Sequence, residues 1–231
     1  MKNWTVISKP VKDQNKGLSA YLTYLINADH KNHKSKTKIV SVFGNIDKLY
    51  KKIIYAVAER DFTRSKKRKG GRPCQSYAQS YVFTLPENLP KHPSYSDWRY
   101  ISVELLKTIQ AFTGVSSDEL KKNIFINFHD QKNPHLNIVV SKVMNKSVQT
   151  VLQKKSIVTA LKKTFNFAVL ATTKLSPDDY VPLKKRSKRY NEYQYQQNKL
   201  LDSCDDFIKN KISSALPLPE NYELNNNVEL N

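Results

Sequence analysis

The sequence predicts an α+β fold in which helices flank a central antiparallel sheet. Short apolar runs that alternate every second residue are mixed with longer segments whose apolar residues recur every three to four positions. The two kinds of segment do not follow one another as regular βαβ units, which argues against a parallel sheet. Two predicted strands, 123–129 and 135–143, are separated only by turn-forming residues, so we expect them to pair as an antiparallel hairpin.

The first part of the chain is expected to contribute two strands and two helices. A strand over 3–8 leads into an amphipathic helix over 17–27. The apolar face of this helix holds Leu18, Tyr21, Leu22 and Leu25. A basic polar segment over 29–38 comes next, followed by an apolar strand over 38–43 and a helix over 46–60.

The remaining elements follow from the same two periodicities. Residues 64–72 carry six basic side chains around a Gly-Gly-Arg-Pro break, so we expect a loop there. Strands are predicted over 77–85, 123–129 and 135–143, and helices over 97–112, 150–170 and 184–201. The domain is predicted to span residues 1–200. Residues 201–231, rich in acidic residues, Asn and Pro, are expected to form a weakly ordered acidic tail.

The charge balance points to a polyanionic partner. The chain has 231 residues with 39 Lys and Arg against 20 Asp and Glu, a net charge of +19 at pH 7. Such an excess favours nucleic acid, with an anionic membrane surface as the weaker alternative. We expect no membrane span, because no apolar run approaches the roughly 18 residues that a span needs.

Composition also argues against several other classes. With 5 glycines the chain has no glycine-rich phosphate loop, so no nucleotide cofactor is expected. Cys74 and Cys204 are too few for a disulfide framework or a four-thiolate zinc site. The N-terminus lacks the apolar stretch of a signal peptide. We therefore expect a reducing, cytoplasmic location.

The chemically informative segment spans residues 125–140. Because side chains alternate faces along a strand, Asn127 and His129 share one face of the first hairpin strand. His135 and Asn137 share one face of the second, and the turn between the strands places His129 opposite His135. Two imidazoles and one amide oxygen suit a divalent metal with open coordination positions. The hairpin therefore predicts a site for Mn²⁺ or Mg²⁺, with Zn²⁺ or Co²⁺ as competitors; a polar hairpin edge with exposed histidines is the alternative.

A carboxylate beside such a site would orient a histidine or help to deprotonate a nucleophile. Asp130 adjoins His129 in the sequence and is the first candidate, with Glu104 second. Asp130 could equally cap the backbone of the turn.

Three features together resemble the HUH endonucleases. They are a tyrosine-containing helix near the N-terminus, the sequence Val-Phe-Thr-Leu-Pro at 82–86, and the order His129, Asn-Pro-His135, Asn137. Within that superfamily the chain is most similar to plasmid mobilisation relaxases of the Mob type, over residues 5–175. The resemblance implies a ferredoxin-like or RRM-like sheet with a metal at its centre. Asn137 stands where the motif usually ends in His, which leaves the identity of the metal open.

The resemblance implies strand transfer on single-stranded DNA at a plasmid transfer origin. A tyrosine hydroxyl attacks the scissile phosphate, the protein becomes linked to the 5′ phosphate, and a 3′ hydroxyl is released while a metal polarises the phosphate. We expect accessory plasmid or host proteins to melt the DNA. A rolling-circle replication initiator with the same chemistry and a non-catalytic nucleic-acid-binding protein are the alternatives.

Position must decide which residue is the nucleophile, because the chain has 13 tyrosines. The resemblance favours Tyr24, then Tyr21, on the first helix, although both could be core aromatics. The arrangement of replication initiators would instead favour the group Tyr190, Tyr193 and Tyr195. A third option is His30 or His33, because some mobilisation enzymes use an N-terminal histidine; otherwise both are expected to be solvated loop residues.

Two basic tracts are expected to contact DNA phosphates. The candidates are Arg64, Lys66, Lys67, Arg68 and Arg72 in the first tract, and Lys184, Lys185, Arg186, Lys188 and Arg189 in the second. Such contacts position DNA and do not specify its sequence.

Overall fold

The computed structural model describes residues 4–67 and 73–181, together with residue 197. The elements below all belong to the first of the two units into which the chain divides, residues 1–181. The predicted acidic tail and the predicted basic helix, apart from residue 197, lie outside the described residues, as does the domain boundary at residue 200.

The first unit is built on a five-stranded sheet in which every neighbouring pair of strands is antiparallel. The strands are β1 (Thr5–Val11), β2 (Lys38–Phe43), β3 (Ala78–Thr84), β4 (Ile124–Asp130) and β5 (His135–Ser141). Their order across the sheet is β1-β3-β5-β4-β2, so the hairpin strands β4 and β5 lie inside it. The predicted fold class is confirmed. A further two-stranded ribbon pairs β6 (Val143–Met144) with β7 (Ser147–Val148).

Helices cover both faces of the sheet. The helices are α1 (Gln14–Ile26), α2 (Ile46–Lys66), α3 (Tyr95–Thr113), α4 (Ser117–Lys122) and α5 (Lys155–Thr173). α1 and α2 share one apolar cluster with Phe125 and Val139. α3 and α5 share the other apolar cluster with Ile126 and Ile138. Ile126 follows Phe125 in β4 and Ile138 precedes Val139 in β5, so adjacent residues of each strand pack on opposite faces of the sheet. Burial on both faces explains why β4 is buried over all but its last residue.

Several boundaries differ from the predicted ones for local reasons. β1 continues through Pro10 to Val11, because an edge strand tolerates a residue that lacks a backbone N–H. α1 begins at Gln14 and closes tightly on the preceding loop, so that a Cβ on Gly17 would overlap the Lys12 carbonyl oxygen. The helix predicted over 150–170 begins as a 3₁₀ turn at Thr150–Gln153 and continues separately as α5.

The predicted loop at 64–72 is wrong for its first residues. α2 runs on to Lys66 and so includes Arg64. Basic side chains in a last turn interact favourably with the carbonyl end of a helix, and the Lys66 Nζ also lies 4.6 Å from the centroid of the Phe62 ring. Residues 68–72 lie outside the described part of the chain.

Candidate active site

The β4–β5 hairpin places its polar side chains as the strand alternation predicts. His129 lies opposite His135, and Asn127 lies opposite Asn137. The His129 and His135 ring centroids are 5.0 Å apart. His129 is 1% exposed and Asn137 is 3% exposed, so these polar groups are enclosed by protein on the α1 side of the sheet.

Backbone carbonyls contact both hairpin histidines. The Leu25 carbonyl, near the end of α1, accepts from Asn127 Nδ2 at 2.6 Å and lies 3.0 Å from His129 Nε2, which Asn127 Nδ2 also approaches to 3.0 Å. The Asn133 carbonyl accepts from His135 Nδ1 at 3.0 Å. Since a carbonyl oxygen cannot donate, the neutral His135 has its lone pair on Nε2. Nε2 of His129 faces both an acceptor, the Leu25 carbonyl, and a donor, Asn127 Nδ2, so its contacts are compatible with either tautomer.

Both hairpin histidines favour the neutral form. Burial, as the largest cause, lowers the pKa of His129 to about 4; the Leu25 carbonyl opposes this shift, and His135 and His33 add to it. Burial also lowers the pKa of His135, against the bond to the Asn133 carbonyl. A neutral imidazole is the form that ligates a metal.

The loop between α1 and β2 brings a third histidine against the hairpin. His33 is 2% exposed, its Nδ1 donates to the Asn27 carbonyl at 2.8 Å, and its ring centroid lies 4.8 Å from that of His129. The expectation that it is a solvated loop residue is wrong. His30 lies 5.6 Å from His33, ring to ring, and is half-buried. The hydroxyl of Thr37 closes this loop by donating to the Gln131 side chain in the hairpin turn at 2.6 Å.

The two candidate tyrosines on α1 differ in their surroundings. The Tyr24 ring centroid lies 4.6 Å from that of His33 and 4.9 Å from that of His30. Tyr21 instead forms a 2.5 Å hydrogen bond with the Ser80 hydroxyl on β3. Burial raises the pKa of Tyr21, which the Ser80 bond opposes and Tyr24 reinforces. Of the two phenols, Tyr24 is the one that the fold packs against imidazoles.

The candidate carboxylates do not join this cluster. Asp130 is exposed at the end of β4 and lines a separate cavity of about 580 Å³ together with Trp98 and Phe128 of the opposite core. Because successive side chains of a strand point to opposite faces of the sheet, Asp130 lies on the face opposite to His129. Glu104 lies on α3, where its carboxylate accepts from Lys107 Nζ at 2.7 Å.

The basic candidates are only partly described. Arg64, Lys66 and Lys67 occupy the end of α2. Earlier in that helix, Glu59 forms a 3.1 Å ion pair with Lys146, which follows the end of β5 remote from His135. The basic end of α2 therefore lies away from the histidine cluster. Arg68, Arg72, Lys184, Lys185, Arg186, Lys188, Arg189, Tyr190, Tyr193 and Tyr195 lie outside the described residues.

Buried polar atoms without a hydrogen-bond partner concentrate at this site. Seven such side-chain atoms occur among the described residues. Four of them belong to the cluster: His33 Nε2, Asn127 Oδ1, His129 Nδ1 and Asn137 Nδ2. Since buried polar groups are normally satisfied, this concentration fits a bound ion or water. Within residues 4–67 and 73–181, no group of three or more His, Cys, Asp or Glu side chains meets the geometry of a metal cluster.

Sequence reasoning missed the carbonyl of Leu25, and it named His33 only as a third candidate nucleophile that was otherwise expected to be solvated. Nothing in the amino-acid sequence around Leu25 indicates that its backbone carbonyl belongs to the site. The spacing of His30 and His33 was visible, and a turn closed by the bond from the His33 amide to the His30 carbonyl at 2.7 Å explains why both rings face Tyr24.

Comparison with known proteins identifies the fold. Protein-family models and curated protein sequences give no match. Among solved structures, the fold is similar to that of relaxase domains. The chain is similar to the MobM relaxase domain (MOBV; Mob_Pre) bound to plasmid pMV158 oriT DNA, in an Mn-bound crystal structure at pH 5.5, with a TM-score of 0.51 and 8% identity over 84% of this chain and 98% of that one. An Mn-bound structure of the same domain at pH 6.8, with a 22-nucleotide oriT DNA carrying a 3′ thiophosphate, gives a TM-score of 0.50 at 8% identity, with the same coverage of both chains.

The resemblance seen in the sequence is therefore confirmed at the level of the fold. Separately, no helix within the described residues combines the length and apolar character needed to cross a membrane.

Proposed function

We propose that this protein is a relaxase, a strand-specific endonuclease and strand transferase that nicks single-stranded DNA at a plasmid transfer origin. The observation that carries this proposal is the packing of Tyr24 against a cluster of buried imidazoles whose free nitrogens lack partners, on a relaxase fold. The Mn-bound MobM domain was solved with origin DNA, which supports the same substrate class here.

His129, His135 and Asn137 are proposed to hold a divalent metal, Mn²⁺ or Mg²⁺. The lone pair of His135 Nε2 is left free because Nδ1 donates to the Asn133 carbonyl, and Nδ1 of His129 is buried without a hydrogen-bond partner. The Asn137 amide is buried with its Nδ2 unpartnered, and a flipped amide would present its oxygen at that position. A metal bound by these groups would polarise the scissile phosphate and offset its charge in the transition state.

Tyr24 is the proposed nucleophile. Its hydroxyl oxygen bonds to the scissile phosphorus while the bond from phosphorus to the 3′ oxygen breaks, which leaves a 5′-phosphotyrosine and a free 3′ end. The phenol proton must leave, and His33 can accept it and return it to the departing 3′ oxygen. The His33 ring lies 4.6 Å from the Tyr24 ring, and because Nδ1 donates to the Asn27 carbonyl, the lone pair is on Nε2, which has no partner. In this proposal His33 takes over the role that the sequence assigned to Asp130. His30 and His33 remain the alternative nucleophiles.

The loop next to the cluster is a suitable surface for the DNA backbone. Lys31, Lys34 and Lys36 are exposed on the same loop as His33. Lysines at this point would hold phosphates near Tyr24 without reading the sequence. We further propose that accessory plasmid or host proteins melt the origin and that the protein acts in the cytoplasm, where plasmid DNA is found.

A denaturing-gel assay tests the proposal. Single-stranded DNA from the transfer origin of the cognate replicon is incubated with protein and Mn²⁺, with and without EDTA. We expect a covalent protein–DNA band that EDTA abolishes, that Tyr24→Phe lacks, and that Tyr21→Phe retains as the matched control on the same helix.

The other outcomes identify the alternatives. An acid-labile adduct that survives in Tyr24→Phe would indicate a phosphohistidine. Loss of the adduct in Tyr195→Phe alone would indicate the replication-initiator arrangement. DNA binding without a nick or an adduct would identify a non-catalytic binding protein.

A further inference from the structure

We propose that the outer face of α2 is a second surface for single-stranded DNA, separate from the site around Tyr24. Two large aromatic side chains are exposed on this face: Tyr55 is 66% exposed and Phe62 is 60% exposed. They are seven residues apart, which is close to two helical turns, so both rings project from the same side of the helix about 10 Å apart along its axis. Two exposed rings in this arrangement offer stacking positions for two unpaired bases.

The rings belong to a stripe of exposed residues that carries lysines at both of its ends. Successive members of the stripe are three or four residues apart, the spacing of neighbours on one face of a helix. They are Lys48, Lys51, Tyr55, Ala58, Phe62 and Ser65. Lys66 and Lys67 are also exposed beyond the second ring, and the Lys66 Nζ lies 4.6 Å from the Phe62 ring centroid. Aromatic rings flanked by cations suit a strand whose bases stack while its phosphates are neutralised.

The acidic residues of α2 do not cancel the charge of these four lysines. Glu59 forms a 3.1 Å ion pair with Lys146. Asp61 forms a 2.6 Å ion pair with Arg60. Asp47 lies in the first turn, where a carboxylate complements the positive end of the helix. Within residues 4–67 and 73–181, the four lysines of the stripe and its end form no ion pair, so this face attracts a polyanion.

The packing of α2 separates this surface from the histidine cluster. The Tyr50 hydroxyl donates to Asn15 Oδ1 at 2.8 Å. Asn15 lies in the first turn of α1, whereas Leu25, near the other end of that helix, contacts His129. These ten residues span about 15 Å of helix. A strand on α2 therefore leaves the proposed active site free, and the protein can hold a second single-stranded segment there.

The rings favour nucleic acid over an acidic polypeptide, because every base has a flat face that stacks on an aromatic side chain. Such stacking does not depend on the base sequence, so this surface would bind strands outside the transfer origin as well. The choice of DNA over RNA rests on the proposed function.

Tryptophan fluorescence of the full chain in EDTA tests the proposal without any metal-dependent nick. Tyr55→Trp places an indole on the stripe, while the native Trp4 and Trp98 are buried and do not meet the bases. We expect oligothymidylate to quench the added emission, and a duplex of the same length to leave it unchanged, because only unpaired bases stack on the indole.

A second substitution then measures the contribution of the other ring. Adding Phe62→Ala to Tyr55→Trp should weaken oligothymidylate binding by about fivefold or more. Adding Phe167→Ala, at a ring on α5 that is 62% exposed, should leave the affinity unchanged. The reciprocal pair, Phe62→Trp with Tyr55→Ala, repeats the test from the other ring, and urea unfolding reports whether each variant folds.

Several results would overturn the proposal. They are absence of quenching, equal quenching by the duplex, and an unchanged affinity when the second ring is removed from a folded protein. Displacement of the strand by an equal concentration of polyglutamate would identify a surface for acidic protein segments, and tighter binding of oligouridylate would identify one for RNA. Because this titration needs neither metal nor a nick, its outcome is distinguishable from failure of the denaturing-gel assay for the relaxase.

Discussion

The burial of His129 predicts an acid-dependent loss of stability in the metal-free protein. Its pKa is lowered from 6.5 to about 4 in the folded state, chiefly by burial. The unfolded chain therefore binds the proton first as the pH falls, and the free energy of unfolding decreases from pH 6.5 down to the folded pKa. The full pKa difference corresponds to a loss of about 3 kcal/mol in the free energy of unfolding. About 2 kcal/mol of that loss falls between pH 7 and pH 5.

Urea unfolding in EDTA at pH 7, 6 and 5 measures this loss. The window lies above the range in which ordinary carboxylates titrate, so the histidine contribution can be separated. His129→Gln should reduce the difference between pH 7 and pH 5, and a remainder is expected because burial also lowers the pKa of His135. His92→Gln, at an exposed histidine on the other side of the sheet, should retain it. If His129→Gln shows the same pH dependence as the wild type, the burial argument for His129 is wrong.

Three further predictions concern the elements around the site. Tyr21→Phe removes the bond to the Ser80 hydroxyl and should lower the free energy of unfolding in urea by about 1–2 kcal/mol, with no loss of adduct formation. Gly17→Ala makes a Cβ overlap the Lys12 carbonyl oxygen and should cost about 3 kcal/mol in the same assay, since the backbone must move. Gly114→Ala, where φ is 66° and the Cβ meets no atom within 4 Å, should cost only about 1–2 kcal/mol; equal costs at the two glycines would contradict the steric argument. The triple variant Lys31→Ala, Lys34→Ala, Lys36→Ala should reduce the salt dependence of single-stranded DNA binding by about 0.7 in log–log slope for each phosphate that the variant no longer neutralises, and an unchanged slope would remove the loop from the DNA surface.

The β4–β5 hairpin shows how much of the site follows from sequence alone. Strand alternation has a period of two residues, and the short turn leaves one register compatible with a buried apolar face. Hence the pairing of His129 with His135 was predictable, and so was the shared face of Asn127 and Asn137. The same alternation argues against Asp130, because its adjacency to His129 in the chain places it on the opposite face.

The rest of the cluster depends on contacts between distant segments. His129 meets the Leu25 carbonyl 104 residues away, and His33 reaches its position because α1 packs over the sheet and the following loop turns back onto the hairpin. Nothing local distinguishes a buried loop histidine from a solvated one. The choice between Tyr21 and Tyr24 is of the same kind, because their spacing on α1 is ambiguous until Ser80 and the loop histidines are in place.

By itself the sequence determined the fold class, the hairpin register and the polycationic character, since these depend on periodicity, turn chemistry and composition. Only the tertiary structure decided that His33 is buried beside His129, that Tyr24 faces the imidazoles, and that Asp130 and the end of α2 lie elsewhere. The physical reason is that these placements come from packing two layers of helices onto a sheet, which couples side chains whose separation in the chain carries no local signal.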